Sequence, residues 1–273
     1  MAPTPRTVLT TGANSGLGLE STIEFAKRGH RSIGTVRSKA KAKIVAEAAS
    51  EAGVEVETLL LDVTDADGCR KVIEAFEPDV LVNNAGYMLY GAVEEIEEVD
   101  ATALLDTMVV APMRLARLCI PSMRAQGWGR IIQISSLSAR ISFPLMGWYQ
   151  GAKQGLEGVS DALRLEVAGD GIAVVLIEPG VFRSELSSEF AAPQGAESSR
   201  YADAYAQTAK TFGQMEPFLT DARTVAKTVV RAAEARAPRA RYPVGLDAQL
   251  GVLSAPFTPA IVRDLVLRRS SRL

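Results

Sequence analysis

The chain has 273 residues, enough for one large α/β domain or two small ones. An apolar share of 47% beside 23% charged residues excludes a disordered or fibrous chain, and a net charge of −2 offers no basic field for nucleic acid. One histidine, His30, rules out a multi-histidine zinc site, and two distant cysteines, Cys69 and Cys119, imply no disulfide framework, only buried thiols in a reducing compartment.

The N-terminal residues lack a signal-peptide pattern, and no run of about 18 apolar residues occurs, so a cytoplasmic protein is expected. Residues 6–11 (RTVLTT) predict a strand, and the glycines after them open a helix over 16–28. A second strand is predicted over 31–36, a helix over 40–51, a third strand over 54–61 and a helix over 66–76. A short apolar strand follows at 79–82, then a long helix over 101–126. Strands at 130–134 and 172–177 flank a helix over 147–167. Strands buried on both faces read as continuous apolar runs, as here. The alternation predicts an α/β fold: a Rossmann-type, doubly wound parallel sheet flanked by helices, with one domain over 1–273.

Residues at about 185–216 break the rhythm and predict a substrate loop. A helix over 220–235, a last strand at 241–244 and a short amphipathic helix over 256–267 complete the chain.

The segment TTGANSGLG follows a strand and opens a helix, the context that makes a glycine motif informative. Gly12 permits a tight turn, while Gly16 and Gly18 let the backbone approach a pyrophosphate. Asn14, Ser15 and Leu17 complete the loop, whose amides would face the anion. No carboxylate ends the second strand, where the sequence reads GTVRSK. Arg37, with Ser15 and Lys39, suits a 2′-phosphate, so NADP(H) is expected over NAD(H). Asp62, followed by Val63, is expected to accept from the adenine amino group. The helix N-cap is left to Thr64 or Asp65. After the fourth strand comes NNAG, in which Asn84, Ala85 and Gly86 allow close approach of the cofactor.

Tyr149 and Lys153 lie in YQGAK, one helical turn apart on one face. A free tyrosine has a pKa of about 10, and a neighbouring ammonium favours its phenolate. Tyr149 can then shuttle a proton near neutral pH, with Ser136 holding the carbonyl or alcohol oxygen.

These residues, in this order, make the chain similar to the short-chain dehydrogenase/reductase family over nearly its whole length. The likeness rests on TGANSGLG, Asp62, NNAG, Ser136, YQGAK and Pro179-Gly180. The family's serine-to-tyrosine spacing selects Ser136 rather than Ser135. The resemblance implies that Lys153 also binds the nicotinamide ribose, and that Val181 and Ser184 contact the carboxamide. It departs at Met108, where the family carries an asparagine of a proton relay. Asp106 and Thr107 are expected on other faces of that helix.

The resemblance also implies a homodimer or homotetramer built on the two long helices. Candidate pocket residues Met88, Tyr90, Leu137, Phe143, Met146 and Phe182 are mostly apolar and suggest a hydrophobic ketone, aldehyde or secondary alcohol. A competing reading is an NADPH-binding sensor impaired by Met108. A third is a membrane-surface reductase using residues 257–272, although the tail is expected to pack on the subunit or a neighbour.

Overall fold

A computed structural model describes residues 4–183, 195–215, 219–254 and 257–271. The chain order is β1 (Thr7–Thr11), α1 (Gly16–Lys27), β2 (Arg31–Val36), α2 (Lys39–Glu51), β3 (Glu57–Leu60), α3 (Ala66–Phe76) and β4 (Val80–Asn83). Then come α4 (Glu98–Leu105), a π-helical turn (Asp106–Val110), α5 (Ala111–Gln126), β5 (Gly129–Ile134), α6 (Gly147–Glu166) and β6 (Ile172–Pro179). Two short strands, β7 (Phe182–Arg183) and β8 (Thr220–Asp221), bracket α7 (Ala202–Met215). The chain continues with α8 (Ala222–Glu234), β9 (Arg241–Val244), α9 (Leu246–Ser254) and α10 (Ala260–Ser271).

Seven strands form one parallel sheet in the order β3-β2-β1-β4-β5-β6-β9. Neighbouring residues explain the unbroken apolar runs. Val8, Val80, Val82, Ile132 and Val175 face a core shared with Phe25, Val225 and Val229 of α1 and α8. Leu9, Leu81, Ile131 and Val174 face the opposite core, with Leu115, Cys119 and Met123 of α5. The sheet is thus a doubly wound Rossmann-type sheet, and its strand order reverses between β1 and β4.

Four expectations change. β3 is shorter than 54–61, because only Glu57–Leu60 pair with β2. The long helix contains a π turn. Pro112 has no N–H for the carbonyl four residues back, and the Ala111 N–H instead reaches the Asp106 carbonyl. The described part of the 185–216 segment carries a helix, α7. Finally, α9 was not predicted at all.

His30 is a structural residue. Its Nδ1 accepts from the Arg6 N–H at 3.2 Å, and its Nε2 lies 3.2 Å from Glu234.

Phe25 is fully buried between α1 and the sheet. Phe25→Ala is expected to cost about 3–5 kcal/mol in urea unfolding. Val99→Ala, at a 72% exposed position, is expected to stay within about 0.5 kcal/mol.

Candidate active site

A cleft of about 740 Å³ opens at the carboxyl ends of the strands, beside the β1–β4 reversal. Gly12, Asn14, Ser15, Gly16 and Leu17 form one wall. Gly12 and Gly16 hold positive φ, +65° and +51°. Ser15 stands at the N-cap of α1 but makes no side-chain cap, so the first turn of α1 reaches the cleft with its amides uncapped by a side chain. Gly18 lies beneath: a Cβ there would sit 2.2 Å from the Gly12 carbonyl oxygen and 2.5 Å from Asn84 Nδ2. That close approach explains the third glycine.

Asn84 ties the loop to β4. Its Nδ2 donates to the Thr11 and Gly12 carbonyls at 2.9 and 3.2 Å. The Asn84 and Ala85 amides both donate to Thr11 Oγ1, at 3.0 and 2.9 Å. Asn84, Ala85 and Gly86 continue the cleft wall.

Arg37 reaches the cleft from the end of β2, exposed at its rim. Its basic companion there is Lys41, not Lys39. Asp62 and Val63 line the same end. Asp62 Oδ1 accepts from the Thr64 Oγ1 and N–H at 2.7 and 3.0 Å, which holds its carboxyl below the usual range. The N-cap of α3 is Asp65.

Tyr149 and Lys153 stand on α6 and line the opposite wall. Lys153 Nζ donates to the Ile134 carbonyl at 2.7 Å and lies 5.7 Å from the Tyr149 ring centre. Burial pulls the ammonium down to about 8, against the support of Glu157 one turn along. Ser135, not Ser136, belongs to the cleft wall. Ser136 Oγ accepts from the Ser138 N–H at 3.1 Å and caps a short 3₁₀ turn.

Pro179, Gly180 and Val181 are not part of the wall either, and Ser184 lies outside the described residues. The turn they begin is held from behind. The Val181 N–H donates to Asp247 at 2.7 Å, and a Cβ on Gly180 would collide with that carboxylate.

Met108 is buried and packs on Gly86, where an added Cβ would meet it at 3.4 Å. The expectation for its neighbours is corrected. Asp106 and Thr107 line the cleft together with Met108, because the π turn broadens the face the helix presents.

Sequence reading missed a buried ionic cluster behind the serines. Ser135 Oγ donates to Glu157 at 2.6 Å. Arg140 and Arg241 each bridge Glu157 and Glu178, at 2.6 to 3.0 Å. Burial pushes the Glu157 carboxyl up. One available signal was Glu178, an acid inside the apolar strand IAVVLIEP.

Of the candidate pocket residues, Tyr90 and Met146 are buried with Met108 and Tyr149 in a third apolar cluster, against which Met88 and Phe143 pack. Leu137 lies under α9, and Phe182 lines the cleft.

A model of the short chain dehydrogenase family matches residues 6–195. The chain is a short-chain dehydrogenase/reductase. It is 30% identical to a Helicobacter pylori protein named "Probable short-chain type dehydrogenase/reductase VdlC", over 94% of this chain and 95% of that one. It is also 30% identical to an NADPH-dependent 3-dehydrocapnine reductase of Ornithobacterium rhinotracheale, over 88% of each. A short-chain dehydrogenase from Streptomyces avermitilis superposes with a TM-score of 0.79 at 28% identity, covering 98% of both chains. The family consists of oxidoreductases that use a nicotinamide dinucleotide. The uncapped helix end, the glycine turn and the long cleft fit such a cofactor. Among the described residues no cluster of His, Cys, Asp or Glu could hold a metal ion, and no helix is long and apolar enough to cross a membrane.

Two measurements test the electrostatics. The folded-state pKa of Lys153 lies below the ordinary lysine value of 10.5, so folding disfavours the proton. The cost is fully present below about 8 and fades as pH rises from there towards 10.5. Lys153→Met is therefore expected to stabilise the fold at pH 7 by about 1–3 kcal/mol, less the lost hydrogen bond. An equal gain at pH 7 and above 10 would refute this. Arg241→Met removes one of the two arginines that hold two buried carboxylates and is expected to cost several kcal/mol, on the order of 3. Arg31→Met, which breaks an exposed pair with Glu57, should change stability far less.

Proposed function

We propose that the chain is an NADP(H)-dependent carbonyl reductase, acting on a hydrophobic ketone or aldehyde and, in reverse, a secondary alcohol. The observation that carries this reading is the Tyr149–Lys153 pair, one helical turn apart, on the wall of the cleft that also holds the glycine turn and Arg37. NADP(H) over NAD(H) is supported by the lack of a carboxylate after β2 and by Arg37 and Lys41 in its place. The NADPH-dependent relative agrees.

When bound, the reduced nicotinamide supplies a hydride to the carbonyl carbon. Tyr149 gives its phenolic proton to the carbonyl oxygen, and the Lys153 ammonium stabilises the phenolate left behind. Lys153 also binds the nicotinamide ribose. Ser136 accepts from the Ser138 amide, which leaves its own O–H to donate to the substrate oxygen. By the family likeness Val181 and Ser184 would contact the carboxamide, and Asp62 the adenine. Met88, Phe143 and Phe182 border the apolar substrate space, and α7 is its movable cover.

The sensor reading is favoured by Met108, buried and apolar where the family has asparagine. Thr107 and Asp106 on the cleft wall offer polar groups in compensation, so the enzymatic reading is preferred. Exposed Val99, Val110, Val159 and Leu165 on α4 to α6 support a homodimer or homotetramer through those helices. The unpaired buried cysteines suit a cytoplasmic protein.

The test is NADPH consumption against a panel of hydrophobic ketones and aldehydes. Tyr149→Phe is expected to lower kcat by a factor on the order of 10²–10⁴. Arg37→Ala is expected to weaken NADPH binding by about tenfold or more and to leave NADH binding unchanged. NADPH binding with no turnover on any carbonyl would favour the sensor.

A further inference from the structure

Among the described residues, fifteen large apolar side chains are exposed, and eight of them lie between Leu246 and Val266. In α9 the exposed residues are Leu246, Leu250 and Leu253, spaced as one helical stripe. Its other side is buried through Ala248 and Gly251. A Cβ on Gly251 would stand 2.7 and 2.8 Å from Leu137 and Ile141, so the leucine stripe faces away from the protein. Phe257, between the helices, is 86% exposed. In α10, Ile261, Val262, Leu265 and Val266 repeat the pattern, and no residue of that helix is buried. α10 lies against α7, yet these four apolar side chains stay exposed.

Charge identifies the occupant. α10 carries Arg263, Arg268 and Arg269 against a single acid, Asp264, while the whole chain is net negative. A second copy of the chain would bring one acid per helix to meet three arginines. Asp264 already pairs with Arg263, and anionic headgroups would neutralise Arg268 and Arg269, with the leucines and phenylalanine entering the acyl boundary.

We propose that α9, Phe257 and α10 form a docking surface for an anionic lipid bilayer. The surface adjoins the active site, because α9 rests on Leu137 and Ile141, immediately after Ser136. An apolar carbonyl compound dissolved in the bilayer can then reach the cleft without crossing water. This last step rests on the reductase reading; the docking does not.

The experiment is co-sedimentation of the full chain with vesicles of phosphatidylcholine, alone or with phosphatidylglycerol, at low and high salt. Binding is expected to need the anionic lipid and to weaken with salt. Arg268→Glu with Arg269→Glu is expected to weaken it by about tenfold or more. Phe257→Glu with Leu265→Glu should abolish it, with no change in mass by light scattering or in NADPH consumption on a water-soluble ketone. No binding by the unaltered chain, or equal binding by the variants, overturns the proposal. So does an oligomer that dissociates in Phe257→Glu with Leu265→Glu, which would assign the surface to a second copy. Absence of turnover on every ketone beside intact vesicle binding would remove the reductase reading alone.

Discussion

The cleft depends on one clamp, between the end of β1 and the end of β4. Thr11 Oγ1 accepts two amides from Asn84 and Ala85, and Asn84 returns two hydrogen bonds to the carbonyls of Thr11 and Gly12. These are buried or half-buried bonds between neighbouring parallel strands, where an unpaired amide would cost its full desolvation. They hold the glycine turn against Ala85 at the place where the connections leave the sheet in opposite directions. Gly18 must then pass within van der Waals contact of Gly12, and no side chain fits between. Rigidity here sets the cofactor half of the site before any ligand arrives.

A second constraint holds the chemistry to that clamp. Lys153 is a buried ammonium that donates to the backbone carbonyl of Ile134, at the end of β5. Its position therefore follows β5, not solvent. The ionic cluster reinforces this link: Glu157 takes Ser135 from β5, Arg140 from the turn after Ser136, and Arg241 from β9. Four segments are pinned by charges that are costly to separate once desolvated. The cluster touches no cleft atom through Arg241, yet it fixes the spacing between the serine turn and the tyrosine helix.

Much of this was legible in sequence because the alternation is physical. Strands covered on both sides must be apolar throughout, and β2 and α3 fall where their patterns predict, at 31–36 and 66–76. The glycine turn, NNAG and YQGAK were readable because each sits at a strand end or on a helix face with a known demand. What escaped reading has equally physical causes. α9 buries only an alanine and a glycine and turns its leucines outward, the inverse of the pattern by which amphipathic helices are recognised. The π turn hides in a regular helical pattern, and only the missing N–H of Pro112 signals it. The ionic cluster joins residues far apart in sequence, and pairing of that kind leaves no local trace.

The two halves of the site are held by different kinds of force. Side-chain-to-backbone hydrogen bonds between β1 and β4, half-buried, fix the glycine turn. The region around α7 rests on exposed bonds from Tyr201 and Ser199 to Glu94 and Glu95, and on Tyr205, which bonds to Glu95 and to the Ala92 amide. Exposed polar pairs contribute little to stability, so these bonds hold α7 less firmly than the sheet is held. Apolar contact of Tyr205 with Tyr90 makes up part of the difference. The surface bonds around α7 share no residue with those that hold the glycine turn and Lys153, so a change in the one region leaves the hydrogen bonds of the other intact.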